Sequence, residues 1–250
     1  MPELVSVLDH DHGLSELIPA ERRPHARQAA AAVALRLPTG SWEAARDAER
    51  ARGGYGLLVV EGLLVRRVGI EGRFGAELLG PGDLLRPWQH DGEGAGGTLP
   101  FEWAWRVVAP TRLAVLDLRW AARVAQWPQL GGELAGRALA RSLRLVVSMA
   151  IVQQPKLEIR LWLLFWELAD RWGRVHPDGV HIDLPLTHET LAHLAAARRP
   201  SVSGALARLA WEGKLRRDGR TWVLTGEPPG EDVRAPWASA QGSGGAARGA

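Results

Sequence analysis

The stretch that decides the fold is Thr187-His188-Glu189-Thr190-Leu191-Ala192-His193-Leu194-Ala195, then Ala197-Arg198-Arg199-Pro200, then Ser201 to Trp211, Glu212-Gly213-Lys214 and Leu215-Arg216-Arg217-Asp218-Gly219-Arg220-Thr221-Trp222-Val223-Leu224. Thr187 has the hydroxyl of a good N-cap, so a short helix is expected from that point. Ala197-Arg198-Arg199 reads as a turn. Pro200 suits the first position of a second helix, whose buried stripe is Val202, Leu206 and Leu209. Gly213 can take the left-handed conformation that closes a helix. The segment from Leu215 to Leu224 reads as strand, Asp-Gly turn and strand, a β-hairpin. Helix, short turn, helix and hairpin make a winged helix-turn-helix, whose second helix fits the major groove of B-DNA.

The charge agrees with that reading. The whole chain of 250 residues carries a formal +3, from 31 Lys+Arg and 28 Asp+Glu. From Thr187 to Trp222 seven basic residues (Arg198, Arg199, Arg208, Lys214, Arg216, Arg217, Arg220) face three acidic ones, so 36 residues hold +4. A local excess of this kind is the footprint of a phosphate-binding surface. Thr187, Arg198, Arg199, Pro200, Ser201, Ser203 and Arg208 are the expected DNA-facing residues of the two helices. Arg216, Arg217 and Arg220 are those of the wing. Arg199 is the one expected to read a base.

Upstream, Leu157, Leu161, Leu164, Phe165, Leu168 and Trp172 mark one helix, with Gly173 as its C-terminal stop. Before it, Leu130, Leu134, Leu139, Leu143, Val146 and Ala150 recur along a helix spanning 128–154 and ended by Pro155. An apolar stripe of that length needs cover, either from the sandwich itself or from a parallel helix of a second subunit. From Gly53 to Asp117, short apolar runs broken by glycine (Leu57–Val60, Leu63–Val68, Phe74–Leu79, Phe101–Val108, Leu113–Leu118) indicate an antiparallel sandwich or barrel. Val33–Leu37 reads as a strand, Pro19–Ala32 as a short helix and Gly40–Arg52 as a loop or helical turn. The tail from Glu227 is rich in Gly, Ser, Ala and Pro and reads as disordered.

These features together resemble the CRP/FNR family of bacterial transcription regulators over roughly residues 33–226. Gly62 and Pro81-Gly82-Asp83-Leu84-Leu85 resemble the family's β-roll and its Pro-Gly-Asp turn. The long helix with Pro155 resembles its dimerisation helix and hinge. His176-Pro177-Asp178-Gly179 through Leu186 to Ala192, and on to Arg208–Leu215, resembles its DNA-binding domain. The resemblance implies an α+β chain with an N-terminal antiparallel β-roll (a double-stranded jelly roll), a long dimerisation helix and a C-terminal winged helix-turn-helix. The boundaries expected are a cyclic-nucleotide-binding-like sensor at 33–127, the dimerisation helix at 128–154 and the DNA-binding domain at 155–226 from the resemblance, with a helical arm at 1–32 and the tail at 227–250 outside it. The partners implied are double-stranded DNA, a second copy through 128–154, and RNA polymerase.

The departures set expectations about the signal. Where nucleotide-binding members place Gly-Glu, this chain has Arg86-Pro87; where they place Arg-Ser, it has Trp103-Ala104. Ribose acceptor and phosphate cation are both missing, and a buried phosphate without a paired cation is strongly disfavoured. Cyclic AMP is therefore not the expected ligand, and the effector is unidentified. The pocket residues are Arg86, Trp88, Trp103 and Trp105, with the tryptophans expected to fill the space rather than to stack an aromatic effector. With no Cys in the chain, disulfides, iron–sulfur clusters and thiolate-ligated haem or zinc are excluded. No cofactor is expected, and His90 and the His10/His12 pair are not expected to bind metal. In the second helix of the motif, Arg199 matches the family's first arginine, Pro200 stands at its glutamate and Gly204 at its second arginine. Met1-Pro2-Glu3-Leu4 has no signal-peptide pattern and no apolar run reaches bilayer length, so a cytoplasmic protein with no membrane partner is expected. An enzyme of the cupin kind lacks its histidines, as only His90 lies in 53–118. The other reading is a sensor that acts through a protein partner, with DNA binding lost.

Overall fold

The structure is a computed structural model, and it describes residues 3–87 and 100–228. The described chain groups into two compact units. The first is made of residues 1–153 and 185–199. The second is made of 154–184 and the residues from 200 on.

The first unit opens with strand β1 (Leu4–Ser6) and helices α1 (Val7–His10), α2 (His12–Glu16) and α3 (Arg23–Ala29). Strands β2 (Ala31–Leu37) and β3 (Gly40–Trp42), helix α4 (Ala44–Ala48) and strands β4 (Gly56–Ile70), β5 (Arg73–Leu79), β6 (Leu84–Leu85) and β7 (Glu102–Leu116) come next. Among the described residues these strands form one antiparallel sheet in the order β1-β2-β7-β4-β5, with β3 on β7 and β6 on β4. Helices α5 (Leu118–Val124) and α6 (Pro128–Val152) complete the unit's main chain, together with α8 (His188–Leu194).

Both faces of β4 are covered. Leu58 and Val60 join a core with Val5, Leu8, Trp120, Leu130 and Leu134, while Leu57, Val59 and Leu64 join a second core with Trp42, Leu85, Trp105 and Leu113. That is why Leu57–Val60 is a continuous apolar run rather than an alternating one.

Several expectations need correction. The N-terminal arm is not wholly helical: Val5 is buried, and β1 pairs with β2 through Leu4↔Val33. The runs around Gly62 are one strand, not two, and so are those around Pro110. Gly62 (φ +92) and Pro110 lie at the same irregularity, where the β4–β7 register shifts. A Cβ on Gly62 would lie 2.4 Å from the Pro110 carbonyl oxygen and from Thr111 Oγ1. Proline has no N–H to give to a ladder, and a bulge is where a strand tolerates one. Thr111 Oγ1 takes up the Leu63 N–H (3.1 Å). Gly40–Trp42 is a strand, because Trp42 buries its ring against Trp105 and donates its indole N–H to Asp47 (3.0 Å). Leu118 starts a helix rather than ending a strand, since Asp117 caps it by accepting from the Trp120 N–H (2.7 Å).

The second unit holds α7 (Leu157–Trp172), strands β8 (Gly173–His176) and β9 (Gly179–Ile182), α9 (Arg199–Trp211, from Pro200 on) and strands β10 (Leu215–Asp218) and β11 (Thr221–Leu224). Its antiparallel sheet runs β10-β11-β9-β8, and Phe165 of α7 packs on Trp222 at 5.0 Å. Gly173 does end α7: it is the C-cap residue, extended (φ −73, ψ 149), and it opens β8. Its reason is space: a Cβ there would lie 2.5 Å from the Ala169 carbonyl. No helix among the described residues is long and apolar enough to cross a membrane.

Candidate nucleic-acid interface

Each segment of the motif is built as its sequence requires. Thr187 accepts a hydrogen bond from the Thr190 N–H (3.1 Å) and caps α8. At the other end, Ala197 N–H donates to Ala192 O (2.8 Å) and Ala196 N–H to His193 O (3.3 Å). This is a Schellman motif, and it puts Ala196 at φ +49, a place that glycine usually takes. Nothing in the local sequence signals this left-handed residue, because no glycine marks it. Four residues, 195–198, join α8 to α9. At the far end of α9 the same motif recurs with the expected glycine. Lys214 N–H donates to Leu209 O (2.9 Å) and Gly213 N–H to Ala210 O (3.0 Å), with Gly213 at φ +67.

The buried face of α9 is Val202, Ala205, Leu206 and Leu209. Arg198, Arg199, Pro200, Ser201 and Ser203 are all exposed at its start, and Arg199 is its first residue. Arg208 is exposed but ion-paired with Glu158 (3.2 Å) of α7. There it joins Lys156, Trp162, Glu212 and Lys214 around a groove of about 260 Å³. In the wing, Asp218 pairs with Thr221, leaving the two-residue loop Gly219-Arg220, with Gly219 at φ +57 as a primed hairpin turn needs. Arg216 is held by Asp178 of the β8–β9 turn, and Arg217 lies over the Trp222 ring at 4.9 Å. The wing thus presents Arg216, Arg217 and Arg220 on an exposed edge.

In the first unit, α8 packs against β5. His193 lies 3.3 Å from Arg67 Nη1. Burial, then the charge of Arg67 and that of Arg106, hold its imidazole below the usual value, against the pull of Glu189.

The residues expected to form an effector pocket fall in different places. Trp105 is 7 % exposed, meets Trp42 edge to face at 5.4 Å and has Arg66 at 5.9 Å from its ring. Trp103 is on the same face of β7 but is half-exposed beside Phe101 (5.7 Å). Arg86 reaches the Gly54 carbonyl (3.5 Å). Trp88 and His90 lie outside the described residues. The Pro-Gly-Asp turn is closed by Asp83, 4 % exposed, which accepts from the Gly80 N–H (2.8 Å) and from Arg144 (2.9 Å).

Arg144 is one of three arginines on α6 that reach the sheet and its loops. Arg141 pairs with Glu77 (2.6 and 2.8 Å), which also takes Arg66 (3.0 Å). Arg137 pairs with Asp11 (2.9 Å) and with Glu133 (2.9 Å). Burial alone would raise the Asp11 carboxyl, but Arg137 and the Leu14 N–H hold it below its ordinary value. The sequence offered no signal for the pairs with the sheet and its loops, because those partners are far apart along the chain. The face of α6 that carries Leu139 (74 % exposed), Leu143 (66 %), Val146 and Met149 (65 %) is uncovered in the single chain.

Comparison with known proteins agrees with this architecture. Residues 159–226 match the model of the Crp-like helix-turn-helix domain. No curated protein sequence matches the chain. Among solved structures, a cyclic nucleotide-binding domain containing protein from Listeria monocytogenes is similar at TM-score 0.58 and 15 % identity, covering 87 % of this chain and 97 % of that one. FixK2 from Bradyrhizobium japonicum is similar at TM-score 0.55 and 18 % identity, over 78 % and 93 %. The c-di-GMP responsive global regulator CLP of Xanthomonas campestris aligns at TM-score 0.52 and 19 % identity, over 87 % and 100 %. The fold is therefore that of a two-part chain, a β-roll followed by a helix-turn-helix module. More particularly, it is the CRP/FNR fold, with a cyclic-nucleotide-binding-like N-terminal region and a Crp-like helix-turn-helix domain.

Proposed function

We propose that the protein is a cytoplasmic, homodimeric, sequence-specific DNA-binding transcription regulator that does not take cyclic AMP in the usual way. The observation that carries the reading is the helix-turn-helix match over 159–226, within which residues 187–222 have capped helix ends and seven basic residues against three acidic ones. Dimerisation through 128–154 is supported by the exposed stripe Leu139, Leu143, Val146 and Met149. Two such motifs read half-sites ~34–36 Å apart on one face of DNA. The effector reading is supported by Trp42 and Trp105 in the core of the roll and by Arg86-Pro87 after the turn. Neither an iron–sulfur cluster nor another cofactor is part of this reading. RNA polymerase is its natural protein partner at a promoter.

Genome-wide recovery of bound DNA tests the proposal, with a palindromic site as the expected result. Arg199→Ala should weaken binding by ~1–3 kcal/mol and relax one position of that site. Recovery of no enriched DNA, with the chain folded, would leave instead a sensor that signals through a protein partner.

A further inference from the structure

The outward line of α9 carries an unusual set of side chains. Opposite the buried Val202, Ala205, Leu206 and Leu209, residues three and four apart share one face: Pro200, Gly204, Ala207 and Trp211, all exposed. Between Arg199 and Arg208 there is no charged residue, and Arg208 is engaged with Glu158. Polar groups on this span are limited to Ser201 and Ser203.

Gly204 stands in mid-helix, where glycine is a poor helix former, second only to proline. Nothing inside the protein asks for it. Its φ is not positive, and a Cβ built there meets no atom within 4 Å. Yet the position faces straight outward, on the helix that the domain match identifies as part of a DNA-binding motif. The bare surface is accounted for by something outside the chain that must come close.

We propose that α9 reads thymine methyl groups at close range. Gly204 lets the helix backbone approach the base edges, and the Ala207 methyl packs on the C5-methyl of thymine, one of the apolar contacts that the major groove offers. The end of the line limits the insertion. Trp211 is 87 % exposed. It lies twelve residues after Arg199, about 18 Å along the axis. The groove is about 12 Å wide, so its indole stands at the rim, against the sugar–phosphate backbone. The inference rests on the DNA-binding reading and specifies what that site recognises.

The test uses the full-length protein and the site recovered by selection from random DNA. Each thymine is replaced in turn by uracil, which removes one methyl and leaves the base pair intact. We expect about a fourfold loss of affinity for each methyl contacted. We expect the loss at one position to vanish in Ala207→Gly. Gly204→Arg, for which the open space leaves room, should move the selected site toward guanine. If a specific site is recovered but uracil is tolerated at every position, thymine reading is wrong while DNA recognition stands. If no specific site is recovered, both readings fall together.

Discussion

Two glycines, Gly62 in the roll and Gly204 in α9, teach opposite lessons. At Gly62 the chain itself demands glycine, because φ is +92 and the Pro110 carbonyl and Thr111 hydroxyl fill the space of a side chain. At Gly204 the chain demands nothing. The contrast extends to the surroundings. The roll pairs many of its groups internally: Trp105 meets Trp42, Glu77 meets two arginines and Asp83 meets Gly80 and Arg144. The outer faces of α6 and α9 offer exposed side chains that the chain itself does not account for, and the proposed partners would account for them. In this protein, interior residues explain the fold, and unexplained exposed ones point to partners.

The largest effect that could break this contrast is at Gly62. Gly62→Val forces a branched residue into a positive-φ bulge and against backbone, and should cost ~3–4 kcal/mol or abolish folding. A melting temperature near that of the wild type would show that the bulge relaxes. The next effect tests the outward faces. Leu143→Asp should leave the secondary structure of the monomer intact and prevent pairing through α6. Sedimentation should then give a monomer, with DNA affinity reduced about a hundredfold as the second half-site contact is lost. A dimer that persists would mean the stripe is covered by something else. The smallest effect concerns a glycine that is missing. Ala196 takes the left-handed place at the end of α8, so Ala196→Gly should relieve the strain and stabilise the fold by ~1 kcal/mol. Thermal unfolding that shows a loss would mean the extra backbone freedom outweighs the relief.

Much of this architecture is legible in the sequence. The α7 helix, the capped α8, the Gly213 terminus and the wing hairpin each rest on local signals: a stripe, a hydroxyl, a glycine, a two-residue turn. The α6 helix is legible as a helix, but its apolar residues divide between two faces, Leu130 and Leu134 in the roll core and Leu139, Leu143 and Val146 exposed. The illegible parts depend on distant partners. Pro110 reads as a break because its role in β7 depends on Gly62, nearly fifty residues away. Gly173 reads as a helix stop, which it is, but its lack of a side chain is explained only by the fold, which brings Ala169 O against it. The N-terminal segment reads as helical because its Ala-rich composition hides the pairing of Leu4 with Val33. The candidate interface is legible as a set of positions, but the tie of Arg208 to Glu158 and of Arg216 to Asp178 is not. Ion pairs between segments leave no trace in a linear reading.

The arginines of α6 have a mechanical consequence. Positions 137, 141 and 144 lie on one face of the helix and are fixed to three separate points, Asp11, Glu77 and Asp83. A turn of the helix by a single residue, about 100°, would break all three pairs together. The helix therefore has one azimuth and no gradual way out of it, like a key held by three wards. The bearing of the Leu139–Met149 stripe is set in the same way. In the proposed dimer a second copy would meet a surface already aimed, without waiting for the helix to roll into position.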